Sequence, residues 1–181
     1  TGAADGDNAA ASFNVPTAIS ADITGTLVIA DQMNHTIRTS TGGRVRTLAG
    51  SGVPGFTDGT GTGASFFMPS GLAVRRDNFG SISWTGGTNG FGTIFVADQG
   101  NNTIRVISNN GQVGTYVGAA GQPGTANGSR TTARLYKPTG LTFDGDGNLY
   151  IADTGNHTIR KVNVLGTVTT FAGTPGVSGL M

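Results

Sequence analysis

The segment TLVIADQMNHTIRT, residues 26–39, decides the fold because it returns twice along the chain. The second copy is TIFVADQGNNTIRV, residues 93–106, and the third is NLYIADTGNHTIRK, residues 148–161. Each copy follows a segment that opens with proline, at Pro16, Pro69 and Pro138, and precedes a β-rich segment that ends in glycine. Self-similarity at a fixed period is the sequence signature of repeat architectures. The sequence therefore predicts three copies of one folding unit.

The spacing of the copies sets the unit boundaries and reveals one insertion. The predicted units are residues 1–53, 54–122 and 123–181. Asp98 and Asp153 lie 55 positions apart, whereas Asp31 and Asp98 lie 67 positions apart. The excess falls between the proline and the aspartate of the middle unit. That unit therefore carries an insertion at about residues 75–92.

Each unit is predicted to contain four short strands separated by turns. In the third unit the strands are expected at residues 140–143, 149–152, 158–163 and 168–172, with a turn in the run DGDGN that starts at Asp144. The chain has 32 glycines and no glutamate, so helix formers are scarce. Four antiparallel strands repeated at a fixed period are typical of a β-propeller blade. The predicted fold is all-β, with three four-stranded antiparallel sheets.

The run A-D-x-x-N-H/N-T-I-R between two strands resembles the signature of NHL-repeat β-propellers. The resemblance covers nearly the whole chain, with departures at Asn102, which replaces the motif histidine, and at Leu135, which replaces a connector phenylalanine. It implies propeller blades. The repeated aspartates would accept hydrogen bonds in the following turn. Each arginine, seven positions on, would pair with the aspartate of its own blade or of a neighbouring blade in a bidentate contact. We interpret the following residues as structural: Asp31, Asn34, Arg38, Asp98, Asn101, Arg105, Asp153, Asn156 and Arg160.

The same motif places an isoleucine before each arginine, at Ile37, Ile104 and Ile159. We expect these three side chains to point into the core between neighbouring blades. A single blade cannot bury both of its faces alone, so each face requires a neighbour.

Charge and composition exclude several classes of function. The net charge is +1 and charged residues make up 12% of the chain, which leaves little for the basic patch that nucleic-acid binding requires. The chain has no cysteine, so disulfides and thiolate metal sites are absent. No apolar run reaches the roughly 20 residues of a membrane helix. The chain starts at Thr1 without a signal peptide, which indicates a processed product or a part of something longer.

No set of residues in the sequence predicts catalysis or a resident cofactor. His35 and His157 occupy the same motif position in different units, so they are expected to be turn histidines hydrogen-bonded to backbone and not to share a metal. Asp144, Asp146 and Asn148 begin like an EF-hand loop, but the later loop positions lack the required glycine and glutamate. Calcium held by backbone carbonyls in the channel of a complete ring stays an open alternative that no motif supports.

The insertion supplies the aromatic residues Phe79, Trp84 and Phe91. By the alignment it joins the first and second strands of the middle unit, on the side opposite the motif turns. Two interpretations stay open. The aromatics anchor an interface, or the loop folds back on its own apolar residues.

Four asparagines lie in N-x-S/T sequons: Asn34, Asn101, Asn127 and Asn156. Three of them coincide with the repeat motif, which has its own reason to hold asparagine there. Asn127 lies in a connector, and we regard it as the better glycan acceptor if the protein is secreted by a eukaryote. Low charge and abundant threonine and glycine favour an extracellular or cell-surface glycoprotein.

Three blades do not close a ring, so the end blades would expose apolar faces. We therefore expect self-association, by closure or as a filament, or further blades in a longer chain. The function expected from the sequence is a non-enzymatic structural or interaction module that assembles with itself or binds a protein or glycan. The alternative is a metal-dependent lyase or lactonase-like propeller enzyme whose site needs the complete ring.

Overall fold

A computed structural model describes residues 1–22, 24–75, 92–108 and 110–179. Within these residues, fifteen strands form three separate antiparallel sheets, one in each repeat unit. The first sheet contains β1 (Gly6–Asp7), β2 (Pro16–Ala21), β3 (Leu27–Asp31), β4 (Thr36–Thr41) and β5 (Arg44–Ala49). The second contains β6 (Gly59–Thr60), β7 (Pro69–Arg75), β8 (Thr93–Asp98), β9 (Thr103–Ile107) and β10 (Gln112–Val117). The third contains β11 (Gly128–Ser129), β12 (Pro138–Phe143), β13 (Leu149–Asp153), β14 (Thr158–Val162) and β15 (Thr167–Ala172).

All three sheets share one strand order, which in the first sheet is β1-β5-β4-β3-β2. The four predicted strands of each unit are confirmed, and in the third unit their bounds differ from the prediction by at most two residues. Each sheet also has a fifth strand of two residues that the sequence analysis did not predict. In the first sheet it pairs Gly6 with Val45 and Asp7 with Arg44. Two residues carry no alternating apolar pattern, so such a strand leaves no signal in the sequence.

A single 3₁₀ turn joins β3 to β4, β8 to β9 and β13 to β14, at Gln32–Asn34, Gln99–Asn101 and Thr154–Asn156. The turn ends on a residue in the left-handed region, at His35 (φ 55°), Asn102 (φ 60°) and His157 (φ 58°). Asparagine and histidine enter this region more readily than most residues that carry a side chain. The backbone conformation of the turn therefore explains why this motif position holds histidine or asparagine.

The apolar core lies between the blades. One layer joins the first and second blades, with Val28, Ala30 and Ile37 packed against Phe66 and Val96. A second layer joins the second and third blades in the same manner. Its central members are Phe95, Ala97, Ile104, Leu135, Leu149 and Ile151.

The predicted interface residues Phe79, Trp84 and Phe91 fall in residues 76–91 and lie outside the described part of the chain. The strands β7 and β8 flank this segment and pair with each other up to Arg75 and Thr93. Among the described residues, no helix has the length and apolar character to cross a membrane.

Candidate functional site

Each blade holds a buried triad of aspartate, asparagine and arginine near the motif turn. In the first blade, Asp31 Oδ1 accepts a hydrogen bond from the Asn14 backbone N–H at 2.7 Å. Asp31 Oδ2 accepts from Asn34 Nδ2 at 2.8 Å and from Arg38 Nη1 at 2.9 Å. The aspartates and the arginines of the triads are almost fully buried in all three blades. The repeated polar motif therefore forms the polar framework of each blade.

The arginine of each triad forks between two partners, so the expected bidentate pairing with one aspartate is wrong. Arg38 Nη2 bonds Asp5 at 2.7 Å and Arg105 Nη2 bonds Asp58 at 2.5 Å, while Nη1 holds the motif aspartate. In the third blade Arg160 Nη2 bonds Asn127 Oδ1 at 2.7 Å instead.

The second partner of each arginine was missed by the sequence analysis. Asp5, Asp58 and Asn127 each stand before a glycine in the connector that precedes their blade. The Asp/Asn-Gly dipeptide recurs at the same position of each repeat unit, and this repetition is the sequence signal that identifies the three residues. Asn127, proposed from its sequon, therefore has a structural role through its side-chain oxygen.

Burial and hydrogen bonding act in opposite directions on the triad carboxylates. Burial raises the pKa of Asp98 to about 6, against the hydrogen bonds from Asn101 and from the Phe67 N–H and the charge of Arg105, which lower it. At the exposed edge, burial tends to raise the pKa of Asp5. Bonds from Thr47 and Arg38 outweigh that effect and lower it. The triads thus resemble a structural ion network more than a site poised for proton transfer.

The motif sequons are engaged in the same framework. The Nδ2 atoms of Asn34, Asn101 and Asn156 each donate to the motif aspartate and to a backbone carbonyl, that of Gly2, Gly55 or Gly124. A glycan on any of these Nδ2 atoms would displace both bonds. Asn127 is exposed, and its recorded hydrogen bonds use Oδ1.

The motif histidine links one blade to the next. His35 Nδ1 accepts a hydrogen bond at 3.1 Å from the backbone N–H of Met68, the residue immediately before β7 of the second blade. Asn102 Oδ1 accepts the equivalent bond at 3.0 Å from Lys137 in the third blade. The expected bond between a turn histidine and backbone is confirmed for His35, and the backbone belongs to the neighbouring blade. Burial lowers the pKa of His35, which favours the neutral ring that such an acceptor requires.

Aromatic residues of the second and third blades lie on glycines of the motif turns. A Cβ atom placed on Gly100 would stand 2.4 Å from Phe67 Cδ1, and one on Gly155 would stand 2.5 Å from Tyr136 Cδ1. In the first blade the aromatic position is Asn14, and the turn carries Met33 instead of glycine. The glycine and the aromatic residue therefore occur together for a steric reason.

We name the two sides of a blade by their neighbours: the front face points to the following blade and the back face to the preceding one. The front face of the third blade is apolar, and no other blade among the described residues packs against it. Ile159 is 37% exposed there, whereas the equivalent Ile37 and Ile104 are fully buried, so the expectation of a buried Ile159 is wrong. Phe171 is 61% exposed. The face consists of Tyr150, Ala152, Ile159, Phe171 and Ala172.

The back face of the first blade shows the complementary exposure. Ile19 is 63% exposed, whereas the equivalent Leu72 of the second blade is 8% exposed. Phe13 is half-buried, while its counterpart Phe66 is fully buried in the joint between the first two blades. The face consists of Phe13, Ile19, Leu27 and Ile29. We call this face and the front face of the third blade the two end faces.

The loop that begins like an EF-hand is a hairpin turn. Asp144 Oδ1 accepts from the N–H groups of Asp146 and Asn148, and Asp144 Oδ2 accepts from Asn148 Nδ2 at 2.8 Å. The Asn148 side-chain bond holds the pKa of Asp144 below its usual value. Within the described ranges, no three His or Asp side chains group closely enough to hold a metal ion.

Comparison with known proteins agrees with this architecture. A family model described as NHL repeat matches residues 135–162. NHL repeat-containing protein 2 of Bos taurus is 34% identical over 127 residues, which cover 65% of this chain and 16% of that protein. An auxiliary nutrient binding protein from Bacteroides ovatus superposes with a TM-score of 0.67 at 24% identity, over 85% of this chain and 37% of that one. Virginiamycin B lyase from Staphylococcus aureus superposes with a TM-score of 0.55 at 16% identity, over 86% of this chain and 48% of that one.

The two solved structures are less than 25% identical to this chain in sequence, so the superpositions show a shared fold only. The chain spans 16% of the length of the curated relative and 37% of the Bacteroides protein. The family model covers one of the three motif copies, and the other two copies lie in sheets of the same topology. The chain is similar to NHL-repeat proteins, and its three repeats fold as β-propeller blades.

Proposed function

We propose that the chain is a non-enzymatic interaction module that works through its end faces and displays its blades to a protein or glycan partner. The observation that carries the proposal is the exposure of Ile19 and Phe171, at positions that the internal joints cover. Exposed apolar patches of this kind mark interaction sites in soluble proteins.

The distribution of charged groups supports a non-enzymatic role. The buried carboxylates and guanidinium groups of the three motifs are bonded to one another in the same way in every blade. A catalytic site requires a special constellation of groups, whereas this one is repeated and structural. The low net charge of +1 supports a protein or glycan partner over nucleic acid.

An extracellular or cell-surface location is part of the proposal. Its support is the composition, with few charges and no glutamate, together with the exposed sequon at Asn127. Glycan attachment there is compatible with the bonds of Asn127, because its side-chain oxygen and not its nitrogen faces Arg160.

Metal content and binding measured on the same purified chain test the proposal. After incubation with calcium and zinc and removal of free ions, we expect well below one metal ion per chain by elemental analysis. We also expect glycan-array binding or association of the chain in solution. One tightly bound metal ion per chain, together with lyase or lactonase activity, would contradict the proposal and support the enzyme alternative.

A further inference from the structure

We propose that a groove at the joint between the second and third blades binds a saccharide that carries a carboxylate group, and that Arg130 is the contact for that carboxylate. The inference rests on the proposed function, of which it specifies the glycan partner and a binding site. The groove has a volume of about 620 Å³ and shares no residue with either end face. The lining residues that matter here are Phe56, Asp58, Thr115, Tyr116 and Arg130.

The lining of the groove departs from the repeat at three positions. At these positions the second joint carries two aromatic rings and a guanidinium group, in Phe56, Tyr116 and Arg130. The first joint has small or aliphatic residues at the equivalent positions, namely Ala3, Leu48 and Gly61. The equivalence of Arg130 and Gly61 is structural, because the carbonyl of each accepts a hydrogen bond from the glycine that follows β10 or β5, at 2.9 and 3.1 Å. One joint thus holds a set of chemical groups that the other lacks, as a specific site requires.

The guanidinium group of Arg130 is held by packing and keeps its hydrogen-bond donors. Its Cζ atom lies 4.8 Å from the centre of the Tyr116 ring, and an edge-to-face contact with Phe95 fixes that ring. The Arg130 side chain also packs on the turn after β14, where a Cβ atom on Gly166 would stand 3.0 Å from Nε. Among the described residues, the side-chain nitrogens of Arg130 have no hydrogen-bond or ion-pair partner. A guanidinium group stacked on a ring can direct its in-plane N–H groups to a carboxylate in a bidentate contact.

The charge of the groove favours an anionic ligand. The charged residues of its described lining are Asp58 and Arg130. Asp58 Oδ1 already accepts a hydrogen bond from Arg105 Nη2, so the charge of Asp58 is balanced within its own blade. The charge of Arg130 has no such balance and is left for a ligand.

The uncharged groups of the lining favour a saccharide as the carrier of the carboxylate. Phe56 is 64% exposed and offers an apolar ring face, as binding sites for small molecules commonly do. The hydroxyl groups of Thr57 and Thr115 can donate and accept hydrogen bonds, whereas the Asp58 carboxylate can only accept them. Sugar hydroxyls match both kinds of group, and the C–H face of a sugar ring matches an aromatic ring. A phosphate ion has no apolar face and no donors for Asp58.

Glycan-array binding of the 181-residue chain tests the inference. The array carries uronate-terminated and sialate-terminated glycans, the same glycans as neutral methyl esters, and acidic peptides. We expect retention of acidic glycans and at least about tenfold weaker binding of their esters, because the ester removes the charge-assisted contact with Arg130. The comparison between uronate and sialate identifies the sugar, and isothermal titration calorimetry with the glycan that is retained best gives its affinity.

Two variants separate the contacts of the groove. Arg130→Gln should weaken binding of the acidic glycan at least about tenfold and leave binding of its ester nearly unchanged. Phe56→Ala should weaken binding of both forms several-fold, because the sugar ring is the same in both. Arg46→Gln is the matched control, since it removes an equal charge from an exposed position of β5 in the first blade, and it should bind like the wild type. Thermal midpoints near that of the wild type show that the variants fold.

A third variant replaces the three special residues by those of the first joint. Phe56→Ala, Tyr116→Leu and Arg130→Gly in one chain should abolish acidic-glycan binding. The chain should still fold, because Leu48 packs against the core of the first joint as Tyr116 packs against the core of the second.

Equal binding of acidic glycans and their esters would overturn the inference, and so would an Arg130→Gln variant that binds like the wild type, or retention of acidic peptides without acidic glycans. An array that retains no glycan would overturn it too, while a protein partner would still satisfy the proposed function. Glycan binding that no groove variant weakens would overturn the groove as the site and leave the proposed function standing. One tightly bound metal ion per chain with enzymatic activity would overturn the proposed function itself.

Discussion

The joint between the second and third blades and the two end faces are built from the same positions of the repeat, but their surroundings differ. Ile104 in the joint is covered by the third blade, whereas Ile159, one repeat later, is partly exposed. The backbone around both isoleucines is the same, with a motif turn before the strand and an antiparallel partner on each side. The difference lies in the neighbour alone.

This comparison shows how energy is distributed in a repeat protein. The stability of each blade combines an intrinsic part with a contribution from each joint. The triads of Asp31, Asp98 and Asp153 belong to the intrinsic part, since all of them are buried whether or not the blade has two neighbours. The front-face isoleucines belong to the joints. Substitutions at the two kinds of position should therefore behave differently.

The largest expected effect is in the triad of the middle blade. Arg105→Ala should lower the free energy of unfolding by about 3–5 kcal/mol, because it leaves the Asp98 carboxylate buried without its cation. Urea denaturation measures the change. The control is Arg44→Ala, since Arg44 lies 3.8 Å from Asp7 in an exposed pair that should contribute at most about 1 kcal/mol.

The same variant has a pH dependence with a definite sign. The pKa of Asp98 in the folded chain, about 6, lies above the ordinary value of 3.8, so the folded state takes up this proton first as the pH falls. The contribution of this group to stability is then fully present below pH 3.8 and is lost as the pH rises through about 6. The penalty of Arg105→Ala should be smaller at pH 5 than at pH 8. An equal or larger penalty at pH 5 would show that Asp98 stays charged.

The next largest effect separates a joint from an end face. Ile104→Ala should cost about 2–5 kcal/mol, as for a fully buried aliphatic side chain. Ile159→Ala at the equivalent position should cost less than about 1 kcal/mol, because Ile159 is already 37% exposed. Equal losses would mean that the front end face of the third blade is covered in solution.

The pairing of an aromatic residue with a turn glycine should give a smaller effect that depends on its partner. Gly100→Met should destabilise the chain by about 1–3 kcal/mol, because the new side chain meets the Phe67 ring. Phe67→Asn combined with Gly100→Met recreates the Asn14 and Met33 pair of the first blade. A double-mutant cycle should show that the combined loss is smaller than the sum of the single losses. Additive losses would contradict the steric explanation.

The smallest effect is expected at the partner of the third arginine. Asn127→Asp should stabilise the chain by about 0.2–1 kcal/mol, because it gives Arg160 the second carboxylate that Arg38 and Arg105 already have. The side chain of Asp58 is 62% exposed, which limits the gain from such a pair. The reverse change, Asp58→Asn, should lower the free energy of unfolding by a similar amount. Calorimetry measures the two changes as opposite shifts of the thermal midpoint. A loss of stability from Asn127→Asp would contradict the equivalence of the three positions.

Local patterns predicted the parts of the molecule that depend on neighbouring residues in the chain. The motif predicted the hairpin at each turn, and the isoleucine before each arginine predicted the buried positions of Ile37 and Ile104. The separation of Arg38 and Asp31 across one hairpin predicted a pair with a blade aspartate, and the structure shows that the aspartate belongs to the same blade. The insertion residues Phe79, Trp84 and Phe91 stay a prediction, as does glycosylation.

Contacts between distant segments were beyond the reach of those patterns. Asp5 meets Arg38 across 33 positions, and the Met68 N–H reaches His35 across another 33. Neither sequence separation corresponds to the period of a helix or a strand, so no local sequence pattern predicts these contacts. The steric link between Phe67 and Gly100 has the same character.

The sequence by itself determined the repeat, the four main strands of each blade and the buried polar motif. These follow from short-range hydrogen bonding and from side-chain alternation, which are encoded residue by residue. Only the tertiary structure decided that the motif histidine joins two blades, that each arginine has two partners, and that Ile19 and Phe171 are left exposed. The burial of these side chains depends on packing between blades, and that packing is defined only in the tertiary structure.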